Sequence, residues 1–139
     1  MENSSRKRLC LELSEETMTL YSEVQHVFCA ILEKEIVFNA KGFHHLHYKP
    51  DGTSRTVEER IYKLKLFPLV IPVIKNATGI YEERDILIPK NRKKGSERIK
   101  AKQYALVGLV GIKNPVEIRV IILDIENSQH PIFWSVMKH

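Results

Sequence analysis

The stretch Arg98-Ile99-Lys100-Ala101-Lys102-Gln103-Tyr104-Ala105-Leu106-Val107-Gly108-Leu109-Val110 decides the fold, together with Val116-Glu117-Ile118-Arg119-Val120-Ile121-Ile122-Leu123-Asp124-Ile125 just beyond it. Apolar residues recur along both with a period of two, the mark of strands with a buried face. In the first, Ile99, Ala101, Ala105 and Val107 are expected inward, with Arg98, Lys100, Lys102 and Tyr104 outward. In the second, Val116, Ile118, Val120 and Ile122 point inward, with Glu117 and Arg119 outward. The Gly111–Pro115 connection is a hairpin, so the pair is antiparallel.

Working outward, residues 80–89 read as another strand, ended by Pro89. Asn91, Arg92, Lys93, Lys94 and Gly95 then form a basic loop, either simply solvated or in contact with a nucleic-acid backbone. Asn127 to Pro131 turns the chain into a last strand, in which Ile132, Trp134 and Val136 alternate with Phe133, Ser135 and Met137.

The first half has helical spacing instead. Ser14 reads as an N-cap with Glu15 and Glu16 in the first turn. Leu20, Val24, Val27, Phe28, Ile31 and Leu32 continue it as an amphipathic helix of about five turns ending near Lys34. Glu35 to Phe38 reads as a short strand. Pro50-Asp51-Gly52 is a turn, and Thr56 with Glu59 forms a capping box. The helix that follows carries Val57, Ile61 and Leu64 on one face, breaks near Phe67 and restarts at Pro68, with Gly79 stopping the new piece. Residues 1–13 are expected to be a basic, partly disordered segment, with Leu9, Leu11 and Leu13 in a short extended run. The expected fold is α+β: one domain over residues 14–139, with two N-terminal helices packed on one face of a mostly antiparallel sheet of four to five strands.

Composition narrows the function. Apolar residues make up 43% of the 139 residues, enough for a core. The net charge of +5 and pI near 9.2 favour a polyanionic partner. The two cysteines, Cys10 and Cys29, lack metal-ligand spacing and a disulfide framework, which fits a reducing cytoplasm. No apolar run is long enough to span a membrane, and no signal peptide is read. The outward residues Arg98, Lys100, Lys102, Tyr104 and Arg119, with Ser135, would make a cationic sheet face suited to RNA; the alternative is an ordinary wet face.

Chemistry concentrates in Gly42-Phe43-His44-His45-Leu46-His47-Tyr48, with three histidines in four positions. Imidazole exchanges protons near neutral pH. If the stretch is extended, His45 and His47 share a face and His44 lies opposite. No carboxylate or cysteine completes a metal motif nearby, so no metal or cofactor is expected.

With the elements in this order, the chain resembles the barnase–EndoU–colicin–RelE-like nucleases, in particular their small phage-associated branch. The likeness rests on Phe43-His44-His45-Leu46 before a capped helix, on Arg60-Ile61-Tyr62-Lys63-Leu64 leading to Pro68, and on the closing Phe133-Trp134-Ser135-Val136. It runs from about Ser14 to the end. It implies a metal-independent endoribonuclease, a toxin acting on tRNA or mRNA and partnered by an antitoxin or immunity protein. Family members cleave through the 2′-hydroxyl and leave a cyclic phosphate. The resemblance makes His45 the candidate general base or acid, Ser135 a holder of a phosphate oxygen and Arg60 the cation. His47 joins His45 as the second proton carrier, and His44 is placed with the RNA-binding residues. The chain departs from the EndoU pattern in lacking a separated His/His/Lys/Tyr set, and it has no glutamate assignable as barnase's base. The alternative is a non-catalytic RNA- or DNA-binding regulatory module.

Overall fold

A computed structural model describes residues 2–89 and 97–139, so the basic loop expected between them lies outside the described residues. The class is α+β, as expected. Helix α1 spans Glu2–Val24, followed by strands β1 (His26–Cys29) and β2 (Lys34–Val37). Helices α2 (Ala40–His47), α3 (Val57–Leu66) and α4 (Val70–Asn76) come next, with a single 3-10 turn at Phe67–Leu69 between the last two. Strands β3 (Glu82–Pro89), β4 (Arg98–Val110), β5 (Val116–Ile125) and β6 (Ile132–Lys138) complete the chain. The sheet has six strands rather than four to five, in the order β1-β2-β6-β5-β4-β3. All neighbours are antiparallel except β2 and β6, which meet in parallel at Val37 and Ile132.

Two expectations for the first third are corrected. The expected disordered and extended lead-in is helix from Glu2. Cys10, Leu13, Thr17, Tyr21 and Val24 recur every three or four residues and face the core, while Leu11 points to solvent. The alternating leucines therefore also satisfy a helical period, and no glycine or proline interrupts it. Arg6, within the segment expected to be partly disordered, makes a two-pronged contact with Glu58 of α3 at 2.8 Å. At the other end the helix stops at Val24 instead of running to Lys34. Gln25 takes a left-handed conformation (φ 58°), and β1 and β2 form a hairpin with Val27 and Cys29 buried and His26 and Phe28 exposed. That run is β-branched and aromatic, and its alternation outweighs its helical spacing.

The capping box is present: the Thr56 hydroxyl accepts from the Glu59 N–H at 3.2 Å. Pro68 lies in the 3-10 turn that separates α3 from α4. Leu64, Phe67, Val70, Val73 and Ile74 pack with Leu106, Ile118, Val120, Ile122, Phe133 and Val136 in the main core. Tyr21 joins it, stacked on Phe67 with ring centroids 4.9 Å apart. A Cβ on Gly108 would lie 3.0 Å from Val73, so α4 rests close on β4.

The facing of β5 is as expected, but that of β4 is reversed. Tyr104, Leu106 and Val110 pack against the helix-covered core. Ala101 instead joins Leu123, Ile132 and Trp134 in a smaller cluster, and Ala105 is buried without joining the main core. The basic residues at 98–102 lie where β4 extends past the helices, and its packing on the helix-covered core begins at Tyr104. Its even positions are polar beyond the helical cover and apolar beneath it. Strand β6 also breaks strict alternation. Ile121 pairs with Ser135 and Ile122 with Phe133, so Trp134 is the extra residue of a bulge. Val136 consequently packs with Phe133, and Trp134 with Ile132.

Candidate functional site

The site forms where β6 loses its neighbour. β2 reaches β6 only at Ile132, and α2 and α3 lie along the edge beyond it. A Cβ on Gly42 would fall 2.2 Å from the Phe133 carbonyl oxygen, so only glycine lets α2 come this close. Further along, the Lys63 ammonium donates to the Val136 carbonyl and the Lys138 N–H donates to the Tyr62 hydroxyl. Side chains of α3 thus satisfy backbone groups that a further strand would have taken.

The histidine stretch is a helix, not an extended segment. The Asn39 side chain caps it by accepting from the Lys41 and Gly42 N–H groups. At about 100° per residue, His45 and His47 point to nearly opposite sides, so the pairing expected for an extended stretch does not form. His47 turns toward α1. One of its ring nitrogens lies 3.0 Å from the Phe43 carbonyl and the other 2.9 Å from the Ser14 hydroxyl. The carbonyl can only accept, so Nδ1 carries the proton and Nε2 accepts from Ser14. Both nitrogens are engaged, Nδ1 within α2 and Nε2 in holding α1 to α2, and Ser14 serves here rather than as a cap. His44 is exposed and stacks on Tyr48 at 4.4 Å.

His45 turns toward β6. Its ring stacks on Trp134, with centroids 4.3 Å apart and planes 17° from parallel. Arg55, from the α2–α3 connection, donates to the His45 carbonyl at 3.0 Å and approaches His45 Nε2 at 3.4 Å. Burial, then the charges of Arg55 and Lys63, hold the His45 imidazole down at about 4. Lys63 of α3 donates to the Ser135 hydroxyl and to the Val136 carbonyl, each at 3.0 Å. Burial, then Arg55, holds its ammonium at about 8, with Glu59 acting in the opposite sense.

Of the residues expected to be catalytic, His45 and Ser135 are gathered in one cluster, linked through Arg55 and Lys63. Arg60 sits on its outer side, where it donates to Ser54 and lies over the Tyr48 ring at 5.4 Å. Arg55 and Lys63 were not singled out as site residues from the sequence. Lys63 stands three positions after Arg60 and four after Glu59, which puts the three on one helical face. Nothing local marks Arg55.

The expected RNA-binding sheet residues do not share one face. Tyr104 packs against the helix side, where its register partner is Ile122. Arg119 projects from the other side and donates to Glu82 at 2.7 Å. Lys102 is 3.1 Å from Glu83 and 4.0 Å from Asp85. Lys100 and Lys102 line a broad groove of about 640 Å³ together with Asp85, Asp124 and Glu126. Arg98 is exposed at the start of β4.

Among the described residues, no three His, Cys, Asp or Glu side chains are grouped to hold a metal ion, and no helix is long and apolar enough to cross a membrane. No family model, curated protein or solved structure matches the chain.

Proposed function

We propose that the domain is a metal-independent endoribonuclease that cleaves RNA through its 2′-hydroxyl. The observation that carries this reading is the convergence of Lys63, Ser135 and His45 beside Arg55, with Glu59 as the neighbouring carboxylate. The environment drives the two proton carriers apart, as acid–base pairs require. At neutral pH an imidazole held at about 4 is free to accept a proton, and an ammonium held at about 8 is able to give one. His45 takes the proton of the 2′-hydroxyl as its oxygen attacks phosphorus. The bond to the 5′-oxygen breaks, and Lys63 protonates that oxygen, leaving a 2′,3′-cyclic phosphate. Arg55 faces the charge that builds on the phosphoryl oxygens, and Ser135 orients the Lys63 ammonium. The RNA would be tRNA or mRNA, and a toxin of this kind would be held in check by an antitoxin or immunity protein.

The test is incubation of purified protein with total RNA in the presence of EDTA, with the new ends analysed for cyclic phosphate. Cleavage should persist in EDTA, form a plateau between about pH 4 and pH 8, and fall on the order of 100-fold in Lys63→Met. Thermal melts of both proteins separate lost chemistry from lost folding. A second reading, an RNA-binding module without cleavage, is favoured by burial: His45, Lys63 and Ser135 are 8%, 9% and 4% exposed. Intact RNA at every pH together with retained RNA binding would decide for it.

A further inference from the structure

Beyond the β6 edge, the face of the sheet that carries Ser135 holds a second group of cations. In register, Ser135 is opposite Ile121, Ile121 opposite Ala105 and Ala105 opposite Glu82, a single row from β6 to β3. Arg119 pairs with Met137 in the next row, one diagonal step from Ser135. Between β3 and β5 lies a slot of about 190 Å³, with Ile121 and Met137 as its apolar wall and Glu82, Arg84, Gln103 and Arg119 as its polar one.

The charges in this slot do not balance. Arg84 and Arg119 both donate to the single carboxylate of Glu82, which leaves one positive charge in excess. Arg119 is further fixed against the Tyr81 ring, 5.1 Å from its centroid. Its Nε is buried and has no acceptor among the described residues. Arg119 lines the slot with about a quarter of its side chain still exposed, so the rest of its guanidinium can meet an anion entering there, and a planar guanidinium matches phosphate oxygens.

We propose that this slot is a second backbone subsite, in which Arg119 and Arg84 hold a phosphodiester of an RNA strand that continues past Ser135. The assignment rests on the ribonuclease reading for its direction, since that reading sets the scissile linkage at Lys63 and Ser135. Ile121 and Met137 would lie under the intervening sugar.

Binding can be tested apart from cleavage with labelled 2′-O-methyl oligonucleotides, which lack the attacking hydroxyl. Fluorescence anisotropy on the full chain should find a hexanucleotide bound about tenfold or more tightly than a dinucleotide. Arg119→Gln should lose about tenfold on the hexanucleotide and less than twofold on the dinucleotide, and its salt dependence should fall by about one phosphate contact. Arg84→Gln should act in the same direction, and it decides alone if Arg119→Gln does not fold. Wild-type binding independent of length, or folded variants that bind the hexanucleotide as the wild type does, would overturn the subsite. If the wild type leaves ordinary RNA uncut while the length effect still depends on Arg119, the ribonuclease reading falls and the subsite stands.

Discussion

At the β6 edge, Lys63 is buried and Arg55 half-buried beside an imidazole, with Glu59 the carboxylate near them. Elsewhere on the sheet, Lys102 of β4 meets Glu83 and Asp85 of β3, and Lys34 of β2 reaches Asp124 of β5 at 2.8 Å. Both regions are rich in cations, yet one leaves its charge unspent and the other neutralises it in solvent. Exposed pairs contribute little, because water screens them and long side chains lose entropy. Cations withdrawn from water that outnumber their carboxylates, as Arg55 and Lys63 do beside the single Glu59, cost stability unless an anion arrives. The net charge of the chain therefore says little about where a polyanion would sit, and local pairing says much more.

The sharpest way to break this contrast is Gly42→Ala. The added Cβ would meet backbone, which cannot give way cheaply, so α2 must shift off β6. We expect a loss of about 3 kcal/mol in denaturant unfolding, with the His45–Trp134 stack disrupted. Acid titration comes next. His45 resists protonation when folded and accepts it freely when unfolded. The His45 share of stability should fall as pH drops from 6.5 to about 4, by on the order of 2 kcal/mol, and the depressed Glu58 and Glu82 carboxylates carry the loss further at lower pH. His47, also depressed by burial, adds a change of the same sign. His45→Phe should keep the stack and flatten its share of the slope.

Arg55→Met should cost about 1–2 kcal/mol by leaving the His45 carbonyl without its donor, and should raise the His45 pKa, as read by NMR titration. Lys102→Ala in the other region should change stability by less than about 0.5 kcal/mol. Were Lys102→Ala to cost as much as Arg55→Met, the distinction between the two regions would fail.

Much of the framework was legible. The β4–β5 hairpin, the Thr56–Glu59 capping box and the break at Pro68 each follow from local chemistry that needs no partner. What was not legible depended on distant surfaces. The leucines at 9, 11 and 13 fit either period until the core selects the helical one. Val27 and Phe28 suit a helix or a strand, and their pairing with Ile36 and Glu35 settles it. The facing of β4 depends on where the helices end. His45 and Ser135 could be proposed from residue type and resemblance. Their connection could not, because it runs through Lys63, seventy-two positions before Ser135, and through a bulge at Trp134 that strict alternation hides.

The docking of α2 against the free side of β6 has an implication for solubility. An uncovered ribbon of that kind can recruit a strand from another molecule. The helix that carries the histidines also shields this ribbon, so damage to one would expose the other. A variant that loosens α2, Gly42→Ala above all, should leave more than an inert monomer: it should self-associate, and light scattering should rise with protein concentration well before the rest of the domain melts.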